Sequence, residues 1–211
     1  MNSPSGSRPS GKAGPITATL VFALTTLQLA VAEFVPNIPQ FEGKAFGARL
    51  IAYPVLMAVV PLVWWLAGRR RAYTGPMPWT AFSLIMLPFF VDVTGNTLNL
   101  YDSIIWWDDL NHFVNWLFLL WGSGLLIALG NVTPRWALVT LITGLGAILA
   151  IAWELGEWYT FIRHGTELNT AYEDTLGDEA LGTLGAFVAA LIVSRTFDNR
   201  TEVGQTAKVE D

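Results

Sequence analysis

Two glutamates, Glu154 and Glu157, stand inside an apolar stretch that is long enough to cross a membrane. Because they are three residues apart, a helix would place both on nearly the same face. Ionisable side chains at membrane depth are costly, so they are rare and usually face a partner, an ion or a water-filled cavity. Such a pair could hold a cation or exchange protons, and it marks where we expect the chemistry of this chain.

Further polar pairs occur near the ends of the neighbouring apolar stretches. The pairs, each one helical turn apart, are Asp92 with Asn96, Asp108 with His112, and Asp174 with Asp178. If these stretches are membrane helices, all the pairs lie toward one end of the bundle, at the level of the two glutamates. We therefore expect a single polar cluster to which several helices contribute.

Basic side chains are scarce around this cluster, because no lysine or arginine occurs between Arg71 and Arg135. Carboxylates that are crowded in a low dielectric without basic partners must protonate, bind a cation or lie in open water. Carboxylates with a neutral imidazole suit zinc, manganese, iron or magnesium. We predict a divalent metal ion, with shared protons as the alternative. The predicted metal ligands are Asp108, His112, Glu154, Glu157 and Asp178.

Two of these carboxylates have a second predicted role. Glu157 and Asp174 are the side chains expected to act as general base in catalysis. His164 follows Glu157 by seven residues and would share its face if the helix continued. The sequence leaves open whether His164, Asp92 and Asn96 belong to the site.

Simpler interpretations exist for most of these residues. Carboxylates at helix starts, such as Asp108 and Asp174, often cap the first turn and suit the helix dipole. Asp92 and Asn96 could form hydrogen bonds that hold helices together. Glu154 and Glu157 are the hardest to explain in this way, since neither stands at a helix start. The joint pattern therefore favours a site.

Composition places the chain in a membrane. Of its 211 residues, 53% are hydrophobic and only 14% are charged, and the mean hydropathy is +0.44. The chain has no cysteine, which excludes disulfides, thiolate metal sites and thiol nucleophiles. Its few basic residues are scattered and give no footprint for nucleic acid. We predict membrane lipid as its surroundings, and the sequence does not give an oligomeric state.

The apolar stretches predict an all-α, polytopic six-helix bundle, since each is near the roughly 20 residues that cross a bilayer. The predicted spans are 15–34, 48–67, 78–98, 107–129, 135–161 and 174–195. Residues 1–14 and 196–211 are predicted to be disordered tails. The loops and tails with most lysine and arginine alternate onto one face, so both termini are predicted to be cytoplasmic.

Small residues mark the faces that carry the acidic groups. On the fifth span Gly146 and Ala150 lie on the face of Glu154, and on the sixth Gly182 and Ala186 continue the face of Asp178. Because small residues let helices approach closely, we expect these two spans to pack directly.

The order of these motifs resembles the YjdF-type family of bacterial inner-membrane proteins of unknown function. The motifs are Trp107-Asp108-x-x-x-His112-Phe113, Trp153-Glu154-x-x-Glu157-Trp158 and Asp174-Thr175-x-x-Asp178 with a glycine-rich continuation. The resemblance covers residues 101–190, and the Asp-x-x-x-His piece also resembles the VanZ-like proteins. The family tends to have tryptophan before the first aspartate of the last motif and methionine after the second, where this chain has Glu173 and Glu179. The resemblance implies a multi-pass protein of the bacterial inner membrane and no activity.

Three functions fit these features. The first is a metal-dependent membrane enzyme, a hydrolase acting on a lipid or isoprenoid-linked substrate. The second is a cation- or proton-coupled transporter, although we find no internal repeat of the kind that many transporters have. The third is a non-catalytic scaffold in which the polar cluster only holds helices together.

Overall fold

In the computed structural model, residues 13–70, 77–160, 162–164, 168 and 170–209 are described. All regular elements in these ranges are helices, as the apolar stretches predict. The long helices are α1 (Ala13–Phe34), α2 (Phe46–Arg70), α3 (Trp79–Thr97), α5 (Trp107–Ala128), α6 (Arg135–Thr160) and α7 (Ala171–Val209). The short ones are α4 (Leu100–Ser103) and the 3-10 turns Pro39–Phe41 and Ile162–His164. The chain is a polytopic helical membrane bundle.

Five of the long helices are long and apolar enough to cross a membrane. They are α1, α2, α5, α6 and the part of α7 at Ala171–Phe197. The remaining predicted span, the third along the chain, is α3, a helix of 19 residues that carries Asp92 and Asn96 among its apolar residues. Six crossings and cytoplasmic termini therefore stay predictions.

The two ends of α3 lie at opposite ends of α1. At the start of α3, Trp79 lies against Gly14. At its end, the carbonyl of Thr97 accepts a hydrogen bond from Gln40, which follows α1. α3 thus runs parallel to α1 over the same length, and it packs between α1 and α5. A left-handed Asn99, with a φ of 58°, separates α3 from α4.

Two apolar clusters hold the bundle together. One, around Leu29, Met57 and Val93, lies between α1, α2 and α3. The other, around Leu120, Ile142 and Val193, lies between α5, α6 and α7. The outward faces of α1 and α2 expose leucine, isoleucine and valine, as expected for surfaces that contact lipid.

The predicted packing of the fifth and sixth spans is confirmed by the contact between α6 and α7. Gly146 of α6 lies so close to Ala186 that a methyl group added to the glycine would overlap it. Ala150 and Ala189 are buried in the same region. The small-residue faces therefore point toward each other and away from lipid.

The structure differs from the predicted tails by two residues at the N-terminal side, where α1 begins at Ala13, and by more at the C-terminal side. α7 continues to Val209, whereas the sequence predicts that the helix ends at residue 195 and that a disordered tail follows. Residues 196–209 contain no proline and a single glycine, so no strong helix breaker occurs there. Residues 1–12 of the predicted N-terminal tail, and residue 161 at the predicted end of the fifth span, lie outside the described residues.

Candidate metal and ligand site

The first turns of α5 supply a polar row to the interior of the bundle. Asp108, Asn111, His112 and Asn115 stand at helical spacings of three and four, so they share one face. Two aspartates in the first turn, Asp108 and Asp109, suit the positive end of the helix dipole. Asp108 and His112 are therefore positioned by helix geometry alone.

Asp178 joins this row from α7. The Nε2 atom of His112 lies 3.5 Å from an oxygen of Asp178 and 3.7 Å from an oxygen of Asp108. One ligand atom from each of the three side chains lies within 4.8 Å of the other two. We call Asp108, His112 and Asp178 the triad.

The spacing of the triad suits a small divalent ion. Two ligands about 2.1 Å from a tetrahedral ion lie about 3.4 Å apart, close to both histidine–aspartate separations. Asp178 is 5% exposed and most of the His112 side chain is buried, whereas the side chain of Asp108 is 48% exposed. A protein ligand set of this kind would leave coordination positions open on the Asp108 side.

Close packing of α5 against α7 brings the triad together. A methyl group on Gly185 of α7 would overlap the backbone carbonyl oxygen of Phe113 in α5. A methyl on Gly182 would lie 2.6 Å from the ring of Trp116. These glycines, seven and four residues after Asp178, set the distance between the two helices.

The two glutamates that the sequence singles out differ in their surroundings. Glu154 is 6% exposed and accepts a hydrogen bond of 3.2 Å from the hydroxyl of Thr175. Glu157, one turn further along α6, lines the same cavity as the triad. Among the described residues, the compact group of potential ligands contains neither glutamate. Their predicted role as metal ligands stays a prediction.

Asp92 has a basic partner, although the sequence predicts none for it. Arg49 of α2 donates a hydrogen bond of 3.0 Å to Asp92 Oδ2, and the hydroxyl of Tyr53 donates to the same oxygen at 2.6 Å. Tyr101 donates to Oδ1 at 2.8 Å. Our expectation that the acidic groups lack basic neighbours was wrong for Asp92, because the partner comes from a helix more than forty residues away.

Tyr101 links this group to α5. Its hydroxyl also accepts a hydrogen bond from the side-chain amide of Asn111. Burial raises the pKa of Tyr101, and Asp92 raises it further. The hydroxyl therefore keeps the proton that it donates to Asp92.

These groups surround a cavity of about 380 Å³ at one end of the bundle. We call it the polar cavity. Its polar lining side chains are Lys44, Arg49, Tyr53, Asp92, Asn96, Tyr101, Asp102, Asp108, Asn111, His112, Asn115, Glu157, Asp174 and Asp178. Pro88, Phe89, Trp116, Leu119 and Trp153 form an apolar part of the lining. Asp92, Asn96 and Asp174 thus face the same space as the triad, and the side chain of His164 lies outside the described residues.

Comparison with known proteins places the chain in a family. The family described as Predicted membrane protein (DUF2238) matches residues 18–199. The chain belongs to this family. It is the YjdF-type family that the motifs resemble, and the match extends from α1 into α7, well beyond residues 101–190. No curated protein and no solved structure matches the chain.

Several residues of the polar cavity in this DUF2238 protein were missed from the sequence. Asn111 and Asn115 escaped notice although they share the helical face of Asp108 and His112. Periodicity would have found them. Lys44 and Arg49 are charged residues near the predicted outer end of the second span, but only tertiary structure pairs them with Asp102 and Asp92, at 2.9 and 3.0 Å.

Proposed function

We propose that this protein binds a divalent metal ion with Asp108, His112 and Asp178 and uses it to hydrolyse a lipid or isoprenoid-linked substrate. The observation that carries the proposal is the meeting of the triad on the wall of the polar cavity. One imidazole and two carboxylates suit zinc, manganese, iron or magnesium. Three protein ligands would leave room for a water molecule and the substrate.

The ion would lower the pKa of its bound water and polarise the bond that is cleaved. Glu157 and Asp174 line the cavity and are the proposed general bases that accept the proton of the water. Glu154, which is buried against Thr175, would support the end of α6 near the ion. His112 presents Nε2 to both aspartates, so this nitrogen is the proposed ligand atom.

The apolar packing beyond the cavity suits an enzyme site that opens at one end of the bundle. A transport site needs polar access to both membrane faces at different times. In the described structure, Leu120, Ile142 and Val193 fill the space between α5, α6 and α7 beyond the cavity, and each is fully buried. A one-ended cavity with an apolar part suits a substrate that enters from one leaflet.

The first test is the metal content of detergent-purified protein. We expect about one ion per chain in the wild type and at least tenfold weaker retention in Asp178→Asn and His112→Ala, since each change removes a ligand. Asp109→Asn is the matched control, because Asp109 is exposed and stands beside Asp108 on α5. Equal retention in all variants, or no metal in reloaded wild type, would refute the metal site.

The second test separates catalysis from transport and from a scaffold. Metal-loaded protein is placed in lipid nanodiscs, and released headgroups are measured by mass spectrometry. We expect Glu157→Gln to keep the ion and to lose turnover. Metal-dependent ion flux in proteoliposomes without lipid cleavage would instead support transport. If neither activity is observed, the non-catalytic scaffold is the remaining function.

A further inference from the structure

Two asparagines of α5 that line the polar cavity have side-chain oxygens without a hydrogen-bond partner in the described structure. Asn111 and Asn115 lie one helical turn apart and both line it. Within the described structure, the side-chain oxygen of each is buried and has no hydrogen-bond partner. Asn111 as a whole residue is only 6% exposed. A buried amide oxygen without a partner is unfavourable, so these positions point to a donor that a ligand supplies.

The hydrogen bonds around Tyr101 fix which end of the Asn111 amide is available. The Tyr101 hydroxyl has one proton and donates it to Asp92. It can therefore only accept from Asn111, whose nitrogen must point toward it. The oxygen of Asn111 is thus the end that remains for a ligand.

The charge around the cavity selects a cationic ligand. Its lining contains six carboxyl side chains and two basic ones. Both basic side chains already pair with carboxylates of the lining, Lys44 with Asp102 and Arg49 with Asp92. Even a divalent ion at the triad leaves the lining with a formal excess of negative charge.

We propose that the polar cavity binds a primary ammonium group, such as that of an ethanolamine headgroup, through the side-chain oxygens of Asn111 and Asn115. Residues one turn apart on a helix are close enough for one ammonium to donate to both. Glu157, on the α6 side of the cavity, would balance the charge. A quaternary ammonium has no N–H to donate, and a neutral alcohol has no charge, so both should bind less well. The identification of this headgroup as part of the substrate rests on the proposed function. The binding of an ammonium group by the two asparagines does not require a metal ion.

The test uses metal-stripped, full-length protein, with binding followed by calorimetry and by the melting temperature Tm. Ethanolamine, choline and ethylene glycol serve as soluble probes, and nanodiscs of phosphatidylethanolamine or phosphatidylcholine serve as lipid probes. We expect wild type to prefer the primary ammonium over the quaternary one by at least about tenfold in Kd. Preference in nanodiscs only would identify a lipid headgroup as the source, and preference among soluble probes a free amine.

Asn115→Leu is the deciding variant, because it removes one acceptor without touching the contact between Asn111 and Tyr101. We expect it to lose the preference. Thr143→Val is the matched control. The hydroxyl oxygen of Thr143, in α6, is also buried without a hydrogen-bond partner in the described structure, but Thr143 does not line the cavity. No preference for the primary over the quaternary ammonium in either the soluble or the lipid probes, or an unchanged preference in Asn115→Leu, would overturn the proposal. Because the protein is metal-stripped, failure of the metal site would not affect this result.

Discussion

Carboxylates in the polar cavity fall into two kinds of surroundings. Asp92 accepts hydrogen bonds from Arg49, Tyr53 and Tyr101, so its charge is balanced and its oxygens are occupied by protein groups. Asp178 instead faces the imidazole of His112 and has Asp108 nearby. The first arrangement is complete within the protein. In the proposed function a cation completes the second arrangement, which is why we assign structure to one side of the cavity and chemistry to the other.

The two ion pairs of the cavity should differ in their contribution to stability. Arg49→Met leaves Asp92 partly buried without its cation, and loss of one partner of a buried pair costs about 3–5 kcal/mol. Lys44→Met is the matched control, because its partner Asp102 is half exposed and such surface pairs contribute about 0–1 kcal/mol. We expect Tm in detergent to fall clearly in the first variant and little in the second. Equal losses would contradict the assignment of Asp92 to the structural side.

At the level of helices, the triad depends on how closely α5 and α7 approach. Gly185 lies against the backbone of Phe113, so Gly185→Ala must push the two helices apart. That shift would separate Asp178 from His112, and we expect metal affinity to fall at least tenfold together with Tm. The measurement is metal titration of stripped protein, followed by thermal unfolding.

Gly177→Ala is the control for this effect. Gly177 precedes Asp178, and a methyl group there meets nothing within 4 Å. We expect its metal affinity and its Tm to stay near those of wild type. If both alanine variants bound metal equally, close packing of α5 and α7 would not be what positions the triad.

Helix positions and the packing of α6 against α7 were predictable from the sequence, whereas most individual side-chain contacts between helices were not. The predicted and observed ends differ by three residues or fewer, except at the end of α7, because the length of an apolar stretch is a local property of the sequence. The pairing of Asp108 with His112 follows from helix geometry in the same way. The contacts of Asp178 with His112 and of Arg49 with Asp92 depend on which faces of separate helices meet, and periodicity does not determine that.

Glu154 and Glu157 show the same limit of prediction from sequence. Both were placed in the site because buried charge needs a partner, and the requirement is met differently for each. Glu154 accepts a hydrogen bond from Thr175, while Glu157 faces the polar cavity. Local chemistry identified the residues that need compensation, but only tertiary structure gives the compensating group.

Over the whole molecule, polar and apolar groups are separated along the bundle. The cavity lies where α3 and α6 end and where α5 and α7 begin. The contact of Lys44 with Asp102 joins the segment after α1 to the segment after α3 at this same end. If the termini are cytoplasmic, this end faces away from the cytoplasm, and the proposed substrate enters from the outer leaflet.

The orientation can be tested with single cysteines, since the chain has none of its own. We predict that a membrane-impermeant maleimide labels Ser103→Cys in intact cells, and that it labels Met77→Cys and Thr133→Cys only after lysis. Met77 and Ser103 lie just outside opposite ends of α3. Their different labelling would therefore establish that α3 also crosses the membrane and that there are six crossings. Labelling of both from the same side would leave five crossings, and a fully reversed pattern would place the polar cavity on the cytoplasmic side. A reporter fused after Lys208 provides the independent check, and we expect a cytoplasmic signal because an even number of crossings returns the chain to its starting side.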